Sequence, residues 1–105
     1  MMHGKTPTKA EKAWMDKIVR LGCIVCRIQG RGWVPCLPHH MLNESGHRIG
    51  HLFTIPLCDP GHHQGAPKNS GEVSRHPNKA RFEAQYGTEE FLLEVTQRAV
   101  EEHIK

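Results

Sequence analysis

The chain has 105 residues, 37% of them hydrophobic and six aromatic, with a net charge of +3 (His neutral) and a mean hydropathy of −0.56. That is material for one small core. It excludes a large α/β enzyme, a repeat protein and a membrane span, since no apolar run approaches the ~18 residues a membrane helix needs.

The predicted elements follow in chain order. The opening segment MMHGKTPTKAEK is polar, with no apolar stretch of the kind a signal peptide carries. Thr8 and Glu11 have capping-box spacing after Pro7. Ala10, Ala13, Trp14, Ile18 and Leu21 then repeat at helical spacing, so a helix is predicted over residues 7–21, stopped by Gly22. Residues 23–28 read as a short β-like segment running into a turn at Gly30 and Gly32. Strands are predicted over 37–41 and 52–57, joined by the polar loop LNESGHRIGH as a hairpin. The Gly- and Pro-rich run CDPGHHQGAPKNSGEVSRHP allows one turn around His62 and His63. Two helices close the chain. One is predicted over 78–86, ended by Gly87; the other runs from an N-cap at Thr88 to about residue 103. In the second, Glu89 and Glu90 sit where they complement the helix dipole, and Phe91, Leu92, Val95 and Ala99 form the apolar stripe. The expected architecture is α+β: one domain over residues 1–105, with a small metal-stapled ββ core flanked by an N-terminal helix and C-terminal helices.

The staple is suggested by four Cys and nine His. With no secretion signal in view, a cytoplasmic setting is expected, where close Cys pairs hold metal more often than they form disulfides. Cys23 and Cys26 form C-x2-C, and Cys58 with His62, or with His63, supplies a second pair. Two such pairs suit a closed, structural Zn2+ site. Cys36 stands apart between two prolines and is expected to pack as a thiol. The doublets His39-His40 and His62-His63 carry a second possibility. Adjacent residues on a strand point to opposite faces, and in a helical turn they diverge by about 100°. One member of a pair can therefore serve the fold and its neighbour a second site. One of His39 and His40, together with His63 and His76, would make an open metal site of the kind catalysis needs.

Charge is graded along the chain. Residues 1–52 hold eight Lys/Arg against three acids, and residues 88–105 hold two against five. A polyanion over the first half, with the acidic end facing away, fits that gradient.

The run HH, then GHRIGHLFTIPLCDPGHH, then SRHPNKARFEAQYG resembles the HNH nuclease superfamily, built on a ββα-metal core. More narrowly, the series from AEKAWMDKIVRLGCIVC to FLLEVTQRAV is similar to the RecA-dependent nuclease domain of the phage recombination enhancement function family. The resemblance implies a zinc-stapled, HNH-like metal-dependent DNA endonuclease linked to recombination. DNA and a RecA filament are the implied partners, with no membrane involved. It implies that Cys23, Cys26, Cys58 and His62 form the structural zinc set. It further implies that His39, His63 and His76 hold a second divalent ion, Mg2+, Mn2+ or Zn2+, and that His40 is the general base. His76 is a further active-site residue, and Asp59 orients a ligand or contributes beside the site. Arg27, Arg31, Arg48, Lys68, Arg75 and Lys79 lie near these motifs in sequence and are candidates for the DNA backbone. Where the superfamily has its central Asn, this chain reads Phe53-Thr54, with His51 and Asn43 as possible substitutes for the brace. The family's basic N-terminal arm is longer than the MMHGKTPTK that precedes the first helix here. The competing readings are a non-catalytic zinc-stabilised nucleic-acid-binding module, which would need the staple but not His40, His63 or His76, and a small protein that uses metal only to fold.

Overall fold

A computed structural model describes residues 6–42, 45–59, 61–66, 70–76 and 78–104. The element order is α1 (Lys9–Leu21), α2 (Ile24–Ile28), β1 (Leu37–His40), β2 (Thr54–Leu57), α3 (Lys79–Tyr86) and α4 (Glu89–His103). Among these residues four helices surround one two-stranded sheet, an α+β arrangement. No helix among them is long and apolar enough to cross a membrane.

The capping signals act as their chemistry dictates. Thr8 Oγ1 accepts from the Glu11 N–H (3.1 Å) and Glu11 Oε1 accepts from the Thr8 N–H (2.8 Å), so two orphan donors at the start of α1 are satisfied reciprocally. Thr88 Oγ1 accepts from the Phe91 N–H at 3.1 Å to start α4. Gly22 ends α1 with φ +87°, and a Cβ there would lie 2.8 Å from Trp33 Cδ1. Both the backbone angle and the packing thus call for glycine.

Three local expectations are corrected. Residues 23–28 do not form a β-like segment: the last five make α2, and the Cys23 thiol accepts the Cys26 N–H (3.5 Å) at its start. One helical turn brings both sulfurs of C-x2-C to one side, which an extended strand would not do. The inward face of α1 is Ile18 and Leu21 with Trp14 partly covered, while Ala10 and Ala13 face solvent. On α4 the buried stripe is Leu92, Leu93, Thr96, Ala99 and Val100, with Phe91 exposed and Glu89 drawn inside.

β1 and β2 pair antiparallel in the register Leu37↔Leu57, His39↔Ile55 and His40↔Thr54. β2 begins two residues later than its sequence pattern suggests, because residues 51–53 make a turn. Every β2 residue is buried, since α1 and α4 both pack on this strand and α2 adjoins it. The core is centred on Ile18, Ile24, Ile55, Leu57, Phe82 and Leu92. His39 and His62 are as buried as these apolar residues, and buried polar rings require partners.

Candidate metal centres

Two groups of metal-type ligands form among the described residues: Cys23, Cys26, Cys58 and His62, and His39, His63 and His76. Within each group the donor atoms lie within 4.8 Å of one another.

The first group comes from α2 and from the turn after β2. His62 Nδ1 faces all three sulfurs, at 3.5 Å from Cys23 Sγ, 3.5 Å from Cys26 Sγ and 3.2 Å from Cys58 Sγ. Cys26 Sγ and Cys58 Sγ are 3.8 Å apart. Donors around a tetrahedral zinc, with Zn–S about 2.3 Å and Zn–N about 2.0–2.1 Å, stand about 3.8 Å apart for two sulfurs and about 3.5 Å for sulfur and nitrogen. The residues fit the ion. Burial pushes the Cys23 and Cys26 thiols up, and for Cys26 both neighbouring sulfurs push in the same direction. Three thiols confined together in this way become thiolates only with a cation among them. The sequence left His62 and His63 open as the fourth member; it is His62 that faces the sulfurs. Its other nitrogen, Nε2, has no hydrogen-bond partner but lies 3.6 Å from Glu72 Oε2, a carboxylate sequence reasoning missed. Cys36 is outside the group, with Sγ 3.7 Å from the Ile18 carbonyl oxygen, and burial holds its thiol at about 12.

In the second group three imidazole rings meet edge to face, with centroids 5.3 Å (His39–His63), 5.2 Å (His39–His76) and 5.1 Å (His63–His76) apart. β1 supplies His39. Backbone bonds supply the rest: the His63 N–H donates to the Cys58 carbonyl and the His76 N–H to the His63 carbonyl, both at 2.9 Å. His63 Nδ1 is buried without a hydrogen-bond partner, and Asp59 Oδ2 lies 3.8 Å away, too far for a direct bond. Burial is the main cause that lowers the His63 and His76 pKa values, with His39 adding to it. Three converging imidazoles, each offering a donor atom within 4.8 Å of the others, fit a divalent ion.

Both members of the first doublet belong to the same place. A cavity of about 230 Å3 is lined by Pro38, His39, His40, Leu42, Arg48, His63 and His76. Of this doublet His39 alone joins His63 and His76, while His40 lines the same cavity; His62 and His63 part into different groups. His40 Nε2 lies 3.0 Å from His51 Nδ1. Its pKa is lowered to about 4, by burial first and then by the charge of Arg48, so the ring is neutral at pH 7. A second cavity, of about 320 Å3, meets the first at His76 and includes Asn78 and Arg81 in its wall.

The basic residues separate by environment. Arg27, Arg48 and Lys79 are exposed, and Arg48 lines the histidine cavity. Arg31 is exposed but pairs with Glu72 at 3.3 Å. Lys68, like Asn43, lies outside the described residues. Arg75 corrects its expectation: it is buried, and its Nε donates to Glu89 Oε2 at 2.9 Å, so its charge is spent inside the protein. Glu89 was expected to complement the α4 dipole. It also accepts from both Arg75 and His39; burial would raise its pKa, but these two bonds hold it down at about 2. No sequence signal marks that pairing, because His39 lies fifty residues away.

A search of curated proteins gave no match. The family described as recombination enhancement, RecA-dependent nuclease matches residues 7–101, nearly the whole chain and every ligand of both groups. A nuclease acts on nucleic acid. The chain belongs to the recombination enhancement, RecA-dependent nuclease family.

Proposed function

We propose that this chain is a metal-dependent DNA endonuclease of the HNH type, phage or prophage encoded. It would act in the cytoplasm with low sequence specificity, in recombination and alongside a RecA filament. The observation that carries the reading is the convergence of His39, His63 and His76, with His40 on the wall of the same cavity. In this reading Cys23, Cys26, Cys58 and His62 hold a structural Zn2+, and His39, His63 and His76 hold the working ion, Mg2+, Mn2+ or Zn2+. Imidazoles favour Zn2+ over the oxygen-seeking Mg2+.

Hydrolysis of a phosphodiester needs an activated water, a path in line with the leaving 3′-oxygen, and positive charge on the phosphate. His40 serves as the base. When Nε2–H donates to His51 Nδ1, the His40 Nδ1 keeps a lone pair that accepts the water's proton. His51 thus takes the bracing part that a central Asn would have played. A divalent ion, when bound, stabilises charge on the phosphate and on the leaving oxygen. Asp59, 3.8 Å from His63 Nδ1, orients that ring through a water. Arg48 at the cavity, with exposed Arg27 and Lys79, holds the DNA backbone by charge without reading bases.

The test is nicking of supercoiled plasmid with added Mg2+, Mn2+ or Zn2+, with and without RecA. His40→Ala should lower the rate about 10²–10⁴-fold, the usual contribution of a positioned base, while the fold is kept. Equal nicking by wild type and His40→Ala would sink the enzymatic reading and leave a zinc-stabilised nucleic-acid-binding module.

A further inference from the structure

Glu89 joins the histidine cluster to the first turn of α4. Its Oε2 accepts from His39 Nε2 at 2.5 Å and from Arg75 Nε at 2.9 Å, and all three side chains are buried. The Glu89 N–H donates in turn to Glu83 Oε2 at 3.2 Å, which fixes the start of the helix. An ionised carboxylate only accepts, so the proton at this contact belongs to His39 Nε2. A neutral ring, the form that binds metal, is then held in one tautomer with the lone pair on Nδ1.

We propose that Glu89 is a positioning residue of the nuclease site: it fixes the tautomer and ring orientation of His39 and makes that imidazole a stronger donor to a divalent cation. This rests on the reading of His39, His63 and His76 as a metal site. A histidine that ligates metal commonly gives its other N–H to a carboxylate, and loss of that carboxylate weakens metal binding about 10–100-fold. Here the carboxylate lies inside the protein at the beginning of a helix. A carboxylate placed only for the helix dipole would gain nothing by being buried, since the dipole acts at the surface as well. Arg75 supplies the counter-charge that lets Glu89 stay ionised there. Its N–H donates to the His62 carbonyl at 2.8 Å, so the same residue also ties the ligand turn in place.

The probe is Co2+, titrated into the full chain carrying one Zn2+, and followed by calorimetry and by the visible d–d spectrum. Wild type is expected to take up one Co2+, and His63→Ala to lose that binding. Glu89→Gln removes the negative charge but leaves Arg75 buried and unbalanced, so the double variant Glu89→Gln/Arg75→Met is measured beside it. Both are expected to keep their zinc and their far-UV dichroism, to bind Co2+ about 10–100-fold more weakly, and to show an altered d–d spectrum. If wild type takes up no Co2+, the metal-site reading fails and this proposal with it. If wild type binds, His63→Ala does not, and the double variant binds as tightly as wild type, the site stands and Glu89 is only the structural counter-ion of Arg75. Should the double variant not fold, the imidazole ¹⁵N shifts of His39 in the wild type decide. Nε2 protonated, with a bare Nδ1 that moves on adding Zn2+, supports the proposal; a protonated Nδ1 that Zn2+ leaves unmoved overturns it.

Discussion

Substituting Cys26 with serine should cost more stability than any surface change. A structural zinc contributes about 10–16 kcal/mol in apparent terms, so each of four donors carries about 2.5–4 kcal/mol. A domain of this size has about 5–15 kcal/mol in total. Cys26 is 1% exposed, at 3.5 Å from His62 Nδ1 and 3.8 Å from Cys58 Sγ. A serine hydroxyl there neither becomes an anion nor reaches as far as sulfur, and it leaves two thiols and an imidazole facing one another undersatisfied. With about 4–8 °C of melting temperature per kcal/mol, the loss should be at least about 10 °C. It is read by far-UV dichroism, with zinc content measured by a colorimetric chelator. Cys36→Ser is the control: Cys36 lies outside the cluster, so it should keep one zinc per chain and melt within about 1 kcal/mol of wild type, as peripheral changes do. A Cys26→Ser protein that is folded, zinc-loaded and as stable as wild type would refute the reasoning, and so would a zinc-free Cys36→Ser.

Further outcomes follow from the same geometry. Arg75→Ala, which strips a buried partner from Glu89, should cost about 3–5 kcal/mol in urea unfolding. Arg48→Ala should leave stability nearly unchanged, weaken DNA binding, and reduce the slope of log K against log salt by about 1. Phe82→Ala, at a fully buried site, should cost about 3–5 kcal/mol, seen as a lower urea midpoint at unchanged slope. Gly22→Ala meets both φ +87° and the Trp33 ring, and should cost more than about 1 kcal/mol while shifting the tryptophan emission.

What was legible in the sequence was chemistry fixed by short spacings. C-x2-C, C-x3-H and the capping box each work within a turn, and the structure places their atoms accordingly. What was not legible depended on partners distant in the chain. The β-branched CIVCRI looks like a strand by propensity, but grouping two sulfurs on one side requires a helical turn, and tertiary demand overrides a weak local preference. Glu89 and Arg75 look like surface charges from their neighbours. Only the tertiary contact of Glu89, at the start of α4, with His39 and Arg75 makes them a buried pair. His51 is one of two substitutes for a missing Asn; its ring lies 3.0 Å from His40 Nε2 in the turn at 51–53, a contact that no local spacing marks.

The two ligand groups are not independent, because one peptide bond joins them. His62 turns toward the sulfurs and His63 toward His39 and His76. The Cys58 carbonyl holds the His63 N–H, the His62 carbonyl holds that of Arg75, and the His63 carbonyl holds that of His76. A staple that fixes Cys58 and His62 therefore also fixes the backbone from which His63, Arg75 and His76 hang. An ion in the sulfur cluster pays in advance the ordering entropy that the histidine cluster would otherwise require. By linkage the dependence would be reciprocal, so an ion bound in either cluster would raise the affinity of the other by the same factor. Co2+ should accordingly bind the histidine cluster more tightly in wild type than in Cys26→Ser, although Cys26 contributes no atom to that cluster. Equal affinity in the two proteins would mean that β1 and α4 alone position the histidines.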